Sequence, residues 1–312
     1  MFTTLILPIA PIFLLIVLGH LLRRGGIPSL EFWNLNDKLV YWVLFPCLLF
    51  NKIATIDFSG VHLGGLAVVV YSGFGAAVLF SLLLFFLFRT EKPLWTSVLQ
   101  GCSRHNTFIA LAVGEQVFGA EILGTAALVT ALLIPVTNVV VVCLMATALV
   151  KKDGGSLFVS VFRDLARNPL LLAVGLGLVF NVLGWSEVPV ITDMTAILGA
   201  AALPIVLLCV GANIRIKAMS ADLKATLLCV FGKMVVFPAA MALAGLAIGL
   251  EPELFMAAML FGASPAAASA YTLARAMGGD APAMAGIVTI QTALSFVTMP
   301  ATLLLAQYLI GQ

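Results

Sequence analysis

Five consecutive polar residues, Ser103-Arg104-His105-Asn106-Thr107, interrupt an otherwise apolar stretch running from Leu94 to Phe118. A guanidinium beside an amide and two hydroxyls is anion-binding chemistry, because fixed positive charge and hydrogen-bond donors suit a carboxylate. A second apolar stretch, residues 253–277, carries Ser264-Pro265 and Ser269 in the corresponding region. Proline has no N–H and collides with the preceding turn, so it breaks or kinks a helix there. At membrane depth a break is tolerated only inside protein or beside a cavity. It leaves half-helix N-termini whose free N–H groups also favour an anion. Ser, Thr and Asn at such places serve equally well as caps of the broken helices.

Depth separates the cations. Pro93 to Arg104 is eleven residues, about 16 Å of helix, so Arg104 falls near the middle of a hydrocarbon core roughly 30 Å thick. An Arg at the centre costs at least about 2.5 kcal/mol and requires a cavity or a partner. Neighbouring carbonyls or Glu115 are the alternatives to a bound anion. Lys233 lies some ten residues into its own apolar stretch and is a second candidate, with a buried packing role as its alternative. Arg275 belongs at the interface as a snorkelling anchor. The candidate binding set is therefore Ser103, Arg104, Asn106, Thr107, Ser264, Pro265, Ser269 and Lys233. Asn51, Asn138, Asn213 and Gln291 read as interhelical hydrogen-bonding groups.

Other chemistries are poorly served. The sequence has no HExxH, G-x-S-x-G or Walker pattern and no intramembrane carboxylate pair, so an enzyme is not expected. Cys47, Cys102, Cys143, Cys209 and Cys229 are odd in number and scattered, which suits neither a disulfide framework nor a zinc site. No metal or cofactor is expected. A formal net charge of +2 gives no reason to expect a nucleic-acid partner.

The elements that must hold these residues are membrane helices. Of the 312 residues, 62% are hydrophobic and 10% charged, which excludes a water-soluble globule. Apolar runs give ten spans, at 5–22, 36–53, 64–88, 94–118, 122–149, 169–185, 194–213, 223–249, 253–277 and 283–309. They are too long and too unalternating for barrel strands, so the fold class is all-α integral membrane. The first span lacks a basic leader and a small-residue cleavage site, and is expected to be retained rather than removed as a signal peptide. Twelve of the 16 Lys and Arg lie in or beside the loops after spans 1, 3, 5 and 7, against Lys52 alone after spans 2, 4, 6 and 8. This bias places residues 150–168 in the cytoplasm and both termini outside.

The chain also repeats itself. Pro8 and Pro28 recur as Pro169 and Pro189, and Gly101 and Ser103 as Gly262 and Ser264, each 161 residues later. Pro46 in span 2 pairs with Pro204 in span 7 after a three-residue deletion. Two five-helix halves follow, residues 1–149 and 169–312, joined by the linker 150–168. Five spans is an odd number, so the halves insert with opposite orientation, the inverted-repeat plan of secondary carriers.

Three segments carry a family resemblance: FPCLLFNKIA in span 2, GAAALPIVLLCVGANI in span 7, and SPAAASAYTLARAMGGDAPAMAGIVTIQTALSFVTMP after the second break. They resemble the auxin efflux carrier family, which includes plant PIN-formed carriers and bacterial malonate and malate carriers. The resemblance covers nearly the whole chain. It implies a scaffold of helices 1, 2, 6 and 7 and a transport domain of helices 3–5 and 8–10, with broken helices 4 and 9 crossing at the substrate. It implies a homodimer in the plasma membrane, here a bacterial inner membrane, moving a small organic anion such as malonate, malate or an auxin-like acid by an elevator mechanism. Ala110 and Ala112 stand where many relatives carry Gly and Pro. The related bile-acid sodium symporters use an acidic residue in span 9, and none lies between Phe255 and Gly279. Proton coupling or facilitated transport is therefore expected. The alternatives are a sodium-coupled symporter and a channel.

Overall fold

The computed structural model describes residues 2–58, 62–149, 163, 166–185, 188–216 and 222–311. Among these the chain is all helical, without strands. The expected linker at 150–168 lies almost entirely outside the described residues. Among the described residues seven helices are long and apolar enough to cross a bilayer. They are α1 (Phe2–Arg24), α2 (Leu30–Thr55), α3 (Leu63–Phe88), α6 (Ile122–Leu149), α8 (Ile191–Ala212), α9 (Leu223–Ala247) and α12 (Ala281–Leu309). Between them lie shorter pieces: α4 (Lys92–Ser103), α5 (Thr107–Phe118), α7 (Pro169–Val182), α10 (Pro252–Ala263) and α11 (Ser269–Met277). A twelve-residue helix such as α4 or α10 is about 18 Å long and cannot span alone. That is why seven helices, not ten, meet the length criterion.

Local chemistry sets the ends. Pro93 and Pro252 sit in the first turns of α4 and α10, where a missing N–H costs nothing. Asn168, Asp222 and Asp280 cap α7, α9 and α12 through their side-chain oxygens. Span 2 begins earlier than its hydropathy suggests. Ser29 Oγ accepts the Phe32 N–H at 3.1 Å, and the polar run Asn34–Lys38 winds into helix around a buried Trp33. Inside α2 and α9, π turns at Val40–Leu44 and Gly232–Val236 precede Pro46 and Pro238. The prolines cannot supply their own bonds, and the Phe before each donates five residues back, to Val40 and Gly232.

The exterior is apolar: Leu7, Leu79, Phe86, Val182 and Leu243 are each about two-thirds exposed or more. Such a surface suits lipid and would aggregate in water. Inside, α1 packs chiefly on α8 and α2 on α7 and α8, while α9 lies along α3. The α1–α8 contact is backbone to backbone. A Cβ at Gly19 would strike the Leu208 carbonyl, and one at Gly211 the Ile16 carbonyl. Small residues allow this approach where burial from water supplies no drive between helices. Asn181 of α7 donates to the carbonyls of Ile53, Ala54 and Ile56, closing the C-terminal end of α2.

Candidate functional site

The two helix breaks meet. α4 ends at Ser103, and Arg104 continues in an extended conformation before Asn106 caps α5. α10 ends at Ala263, and residues 264–268 are unwound before α11 begins. The Asn106 N–H donates to the Pro265 carbonyl at 2.7 Å, joining the two unwound segments main chain to main chain. The Asn106 side chain turns the other way, and its Oδ1 accepts the N–H groups of Phe108 and Ile109, both at 3.1 Å. The first turn of α5 is thereby largely satisfied. The start of α11 is different. Gln291 Oε1 takes the Ala266 N–H at 2.9 Å, but among the described residues the N–H groups of Ala267, Ala268 and Ser269 have no partner.

Beside these donors lies a cavity of about 580 Å³. Arg104, His105, Asn106 and Thr107 line it from the first break, and Ala267, Ala268 and Ser269 from the second. Tyr41 of the α2 π turn, Val206 and Val210 of α8 and Asn138 of α6 complete the walls. Arg104 Nη2 donates to Asn138 Oδ1 at 3.3 Å and approaches Ser269 Oγ at 3.5 Å, while its Nη1 is buried without a partner. Among the described residues no carboxylate is a hydrogen-bond partner of Arg104, and Glu115, an alternative partner on sequence, is not one. His105 is also buried, with Nδ1 unpartnered and its ring edge-on to Phe261 at 5.6 Å.

The mouth is basic. Arg23 donates to the Ala212 carbonyl and to Asn213 Oδ1, and Asn213 in turn donates to Asp37 Oδ2 at 2.9 Å. Arg215 lies 4.0 Å above the Tyr271 ring, donates to its hydroxyl at 2.8 Å, and gives its backbone N–H to Thr289 Oγ1. Three arginines and one aspartate thus line the cavity.

Of the eight residues singled out on sequence, Arg104, Asn106, Thr107 and Ser269 line this one cavity; the other four do not. Ser103 Oγ donates back to the Leu99 carbonyl at 2.6 Å and Ser264 Oγ to the Phe261 carbonyl at 2.9 Å. Both are fully buried. Pro265 takes part through its carbonyl alone. Lys233 is fully buried behind the crossing, with Nζ 3.3 Å from the Phe261 carbonyl, 3.4 Å from that of Gly262 and 3.6 Å above the Phe237 ring. It donates to the last turn of α10, whose carbonyls lack intrahelical partners; that of Phe261 also receives the Ser264 N–H and hydroxyl. Asn51, Asn138, Asn213 and Gln291 each bond to another helix or to a break. Sequence reasoning missed Tyr41, His105 and Asp37 as lining residues. For His105 the signal was its place inside the polar run; for Tyr41 and Asp37 nothing in an amphipathic stretch marks the cavity side.

No curated protein matches the chain. The matched family region begins before α7, ends within α12 and so includes the second break, whereas Arg104 lies outside it. Residues 155–303, just under half of the chain, match the family model described as membrane transport protein (Mem_trans), the auxin efflux carrier/PIN family domain, a family of membrane transporters.

Proposed function

We propose that the protein is a secondary transporter that carries a small organic anion across the plasma membrane by alternating access, without catalysis. One observation carries the anion reading. A guanidinium with no bonded carboxylate and an unpartnered Nη1 stands beside the free N–H groups at the start of α11, in a cavity of small-molecule size. A cation next to the positive end of a helix is repelled by it, and an anion between them relieves both charges. The ligand-binding set on this reading is Arg104, Asn106, Thr107 and Ser269, with Ser103, Ser264, Pro265 and Lys233 holding the breaks from behind.

Ten spans in two inverted repeats are supported by the order of pieces. Each half runs through three helices, a broken pair and a final long helix, and α4 and α10 are both twelve residues long with a first-turn proline. Exchanging the halves turns the α1–α8 contact into the α7–α2 contact, and both are extensive. The same packing supports a scaffold of α1, α2, α7 and α8 against a transport domain of the remaining helices. The cavity lies between the groups, but Arg104 and the N–H groups at the start of α11 belong to the second, so movement of that group carries the ligand along. Arg23 and Arg215 at the mouth belong to the set that the charge bias assigns to the cytoplasm, which supports an inward-facing arrangement with both termini outside. A homodimer is the assembly that the family resemblance implies.

The test is a thermal-shift screen of the purified chain against carboxylic acids, including malonate, malate and indole acids, across pH and sodium. At least one acid should raise the midpoint of the wild type and not that of Arg104→Gln. A panel in which only amines or neutral solutes stabilise the protein would overturn the reading.

A further inference from the structure

A side-chain amide in the interior of an apolar membrane helix must find partners or leave polar groups desolvated. Gln291 is fully buried within the 29-residue α12, and its amide reaches three other elements. Oε1 accepts the Ala266 N–H at 2.9 Å in the unwound segment before α11. Nε2 donates to the Gly101 carbonyl at 3.1 Å in the last turn of α4, and lies 3.4 Å from the Cys229 carbonyl of α9. Gly101 precedes Arg104 by three residues, and Ala266 immediately precedes the three residues with free N–H groups. One amide therefore spans both breaks, and each of its ends holds one half of the anion cradle.

We infer that Gln291 is the positioning residue of the anion site, fixing the Arg104 guanidinium relative to the Ala267–Ser269 N–H groups without touching the ligand. The inference rests on the anion reading above. Gln291 does not line the cavity, so its effect passes through Gly101 and Ala266. The two bonds have opposite polarity, one accepted and one donated, and an amide supplies both from a single planar group. A carboxylate has no N–H for Gly101, an ammonium has no acceptor for Ala266, and Asn is one methylene shorter. The Asn106–Pro265 bond ties the same two breaks at a second point. With two ties the relative position of Arg104 and Ser269 is over-determined, as a site that must recognise a small anion requires.

The experiment uses the full chain in lipid nanodiscs, and its first arm needs no ligand. Gln291→Met keeps the side-chain length and removes both bonds. Amide hydrogen exchange in segments 264–270 and 101–109 should become about tenfold faster, with α1, α2, α7 and α8 unchanged. Gln291→Glu, neutral in so apolar a site, keeps an acceptor for Ala266 and an O–H donor for Gly101, so both segments should stay near wild type; Gln291→Asn, one methylene shorter, should speed both and decides the matter if the Met variant does not fold. In the second arm malonate is the transport probe: its KM should rise about tenfold in Gln291→Met while kcat stays within about twofold. Unchanged exchange at 264–270 in a folded Met variant would overturn the inference. So would an even rise across all helices, which marks plain loss of stability, or an unchanged KM alongside faster exchange. If the wild type does not transport malonate or any acid of the panel, the anion reading fails, and the exchange arm still judges whether Gln291 holds the breaks.

Discussion

The backbone N–H of Asn106 and the carbonyl of Pro265 are 2.7 Å apart, and each belongs to the point where its own helix stops. Unwound backbone inside a membrane protein has to be satisfied within the protein, and this bond satisfies one group from each side. Asn106 then commits its Oδ1 to capping α5. The two half-helix N-termini are therefore unequal. That of α5 has most of its donors occupied, whereas three N–H groups at the start of α11 are unoccupied among the described residues. On the proposed anion reading, the ligand lies on the α11 side of the crossing, toward Ser269 and Arg104.

The α1–α8 contact should be intolerant of a single methyl group. Gly19→Ala and Gly211→Ala each place a Cβ against a carbonyl of the facing helix, which cannot move aside as a side chain would. Overpacking costs about 1–3 kcal/mol, so each variant should unfold at a lower temperature than the wild type in nanodiscs. Gly75→Ala, whose Cβ would meet nothing within 4 Å, is the control and should not change the midpoint.

Much of this architecture was legible because membrane helices declare themselves by length and polarity. The polar run at Ser103–Thr107 and the Ser264-Pro265 pair located both breaks, since neither chemistry is compatible with continuous apolar helix. The start of α2 was misplaced by six residues, because its polar entry turn reads as loop until Trp33 is seen to be buried. Of the eight candidate residues, four line the cavity. Ser103 and Ser264 have the right chemistry, but a rotamer that donates to the preceding turn removes each hydroxyl from the cavity, and sequence does not specify rotamers. Lys233 could be placed at the right depth but not on a helix face, and the face decides whether it meets ligand or carbonyls. Gln291 announced that it needed partners; which partners depended on the crossing.

Transport should not require sodium. Span 9 contains no acid after Phe255, where the bile-acid sodium symporters that the architecture resembles carry one. Uptake into proteoliposomes should persist when choline replaces sodium inside and out. Loss of uptake on that replacement, restored by an inward sodium gradient, would contradict this.

The charge bias makes a topological prediction. In a chain freed of its five native cysteines, Gln312→Cys should react with an impermeant maleimide added from outside whole cells. Ser156→Cys should react only after the membrane is opened. The reverse pattern would place Arg23 and Arg215, and with them the cavity mouth, on the outer side.

Variants at three residues should separate anchoring from support. Arg104 contributes charge to the cavity and shares only Nη2 with Asn138 and Ser269, so Arg104→Gln loses the anion contact and little of the fold. Charge-assisted bonds are worth about 1.5–3 kcal/mol, so affinity should fall at least about tenfold with a midpoint near wild type. Asn106 caps α5, and loss of such a cap costs about 1 kcal/mol, so Asn106→Ala should lower the midpoint as well as the affinity. Asn106→Asp keeps an acceptor for the cap while adding a negative charge to the cavity wall, and should restore the midpoint but not binding. Lys233→Met strips a donor from the Gly262 carbonyl at the end of α10, while that of Phe261 keeps Ser264, and an unsatisfied buried group costs about 1–3 kcal/mol. It should therefore destabilise the protein while leaving affinity, measured well below the midpoint, within about threefold of wild type. If Lys233→Met abolishes binding in a stable protein and Arg104→Gln does not change it, the ligand lies behind the crossing and the cavity reading is wrong.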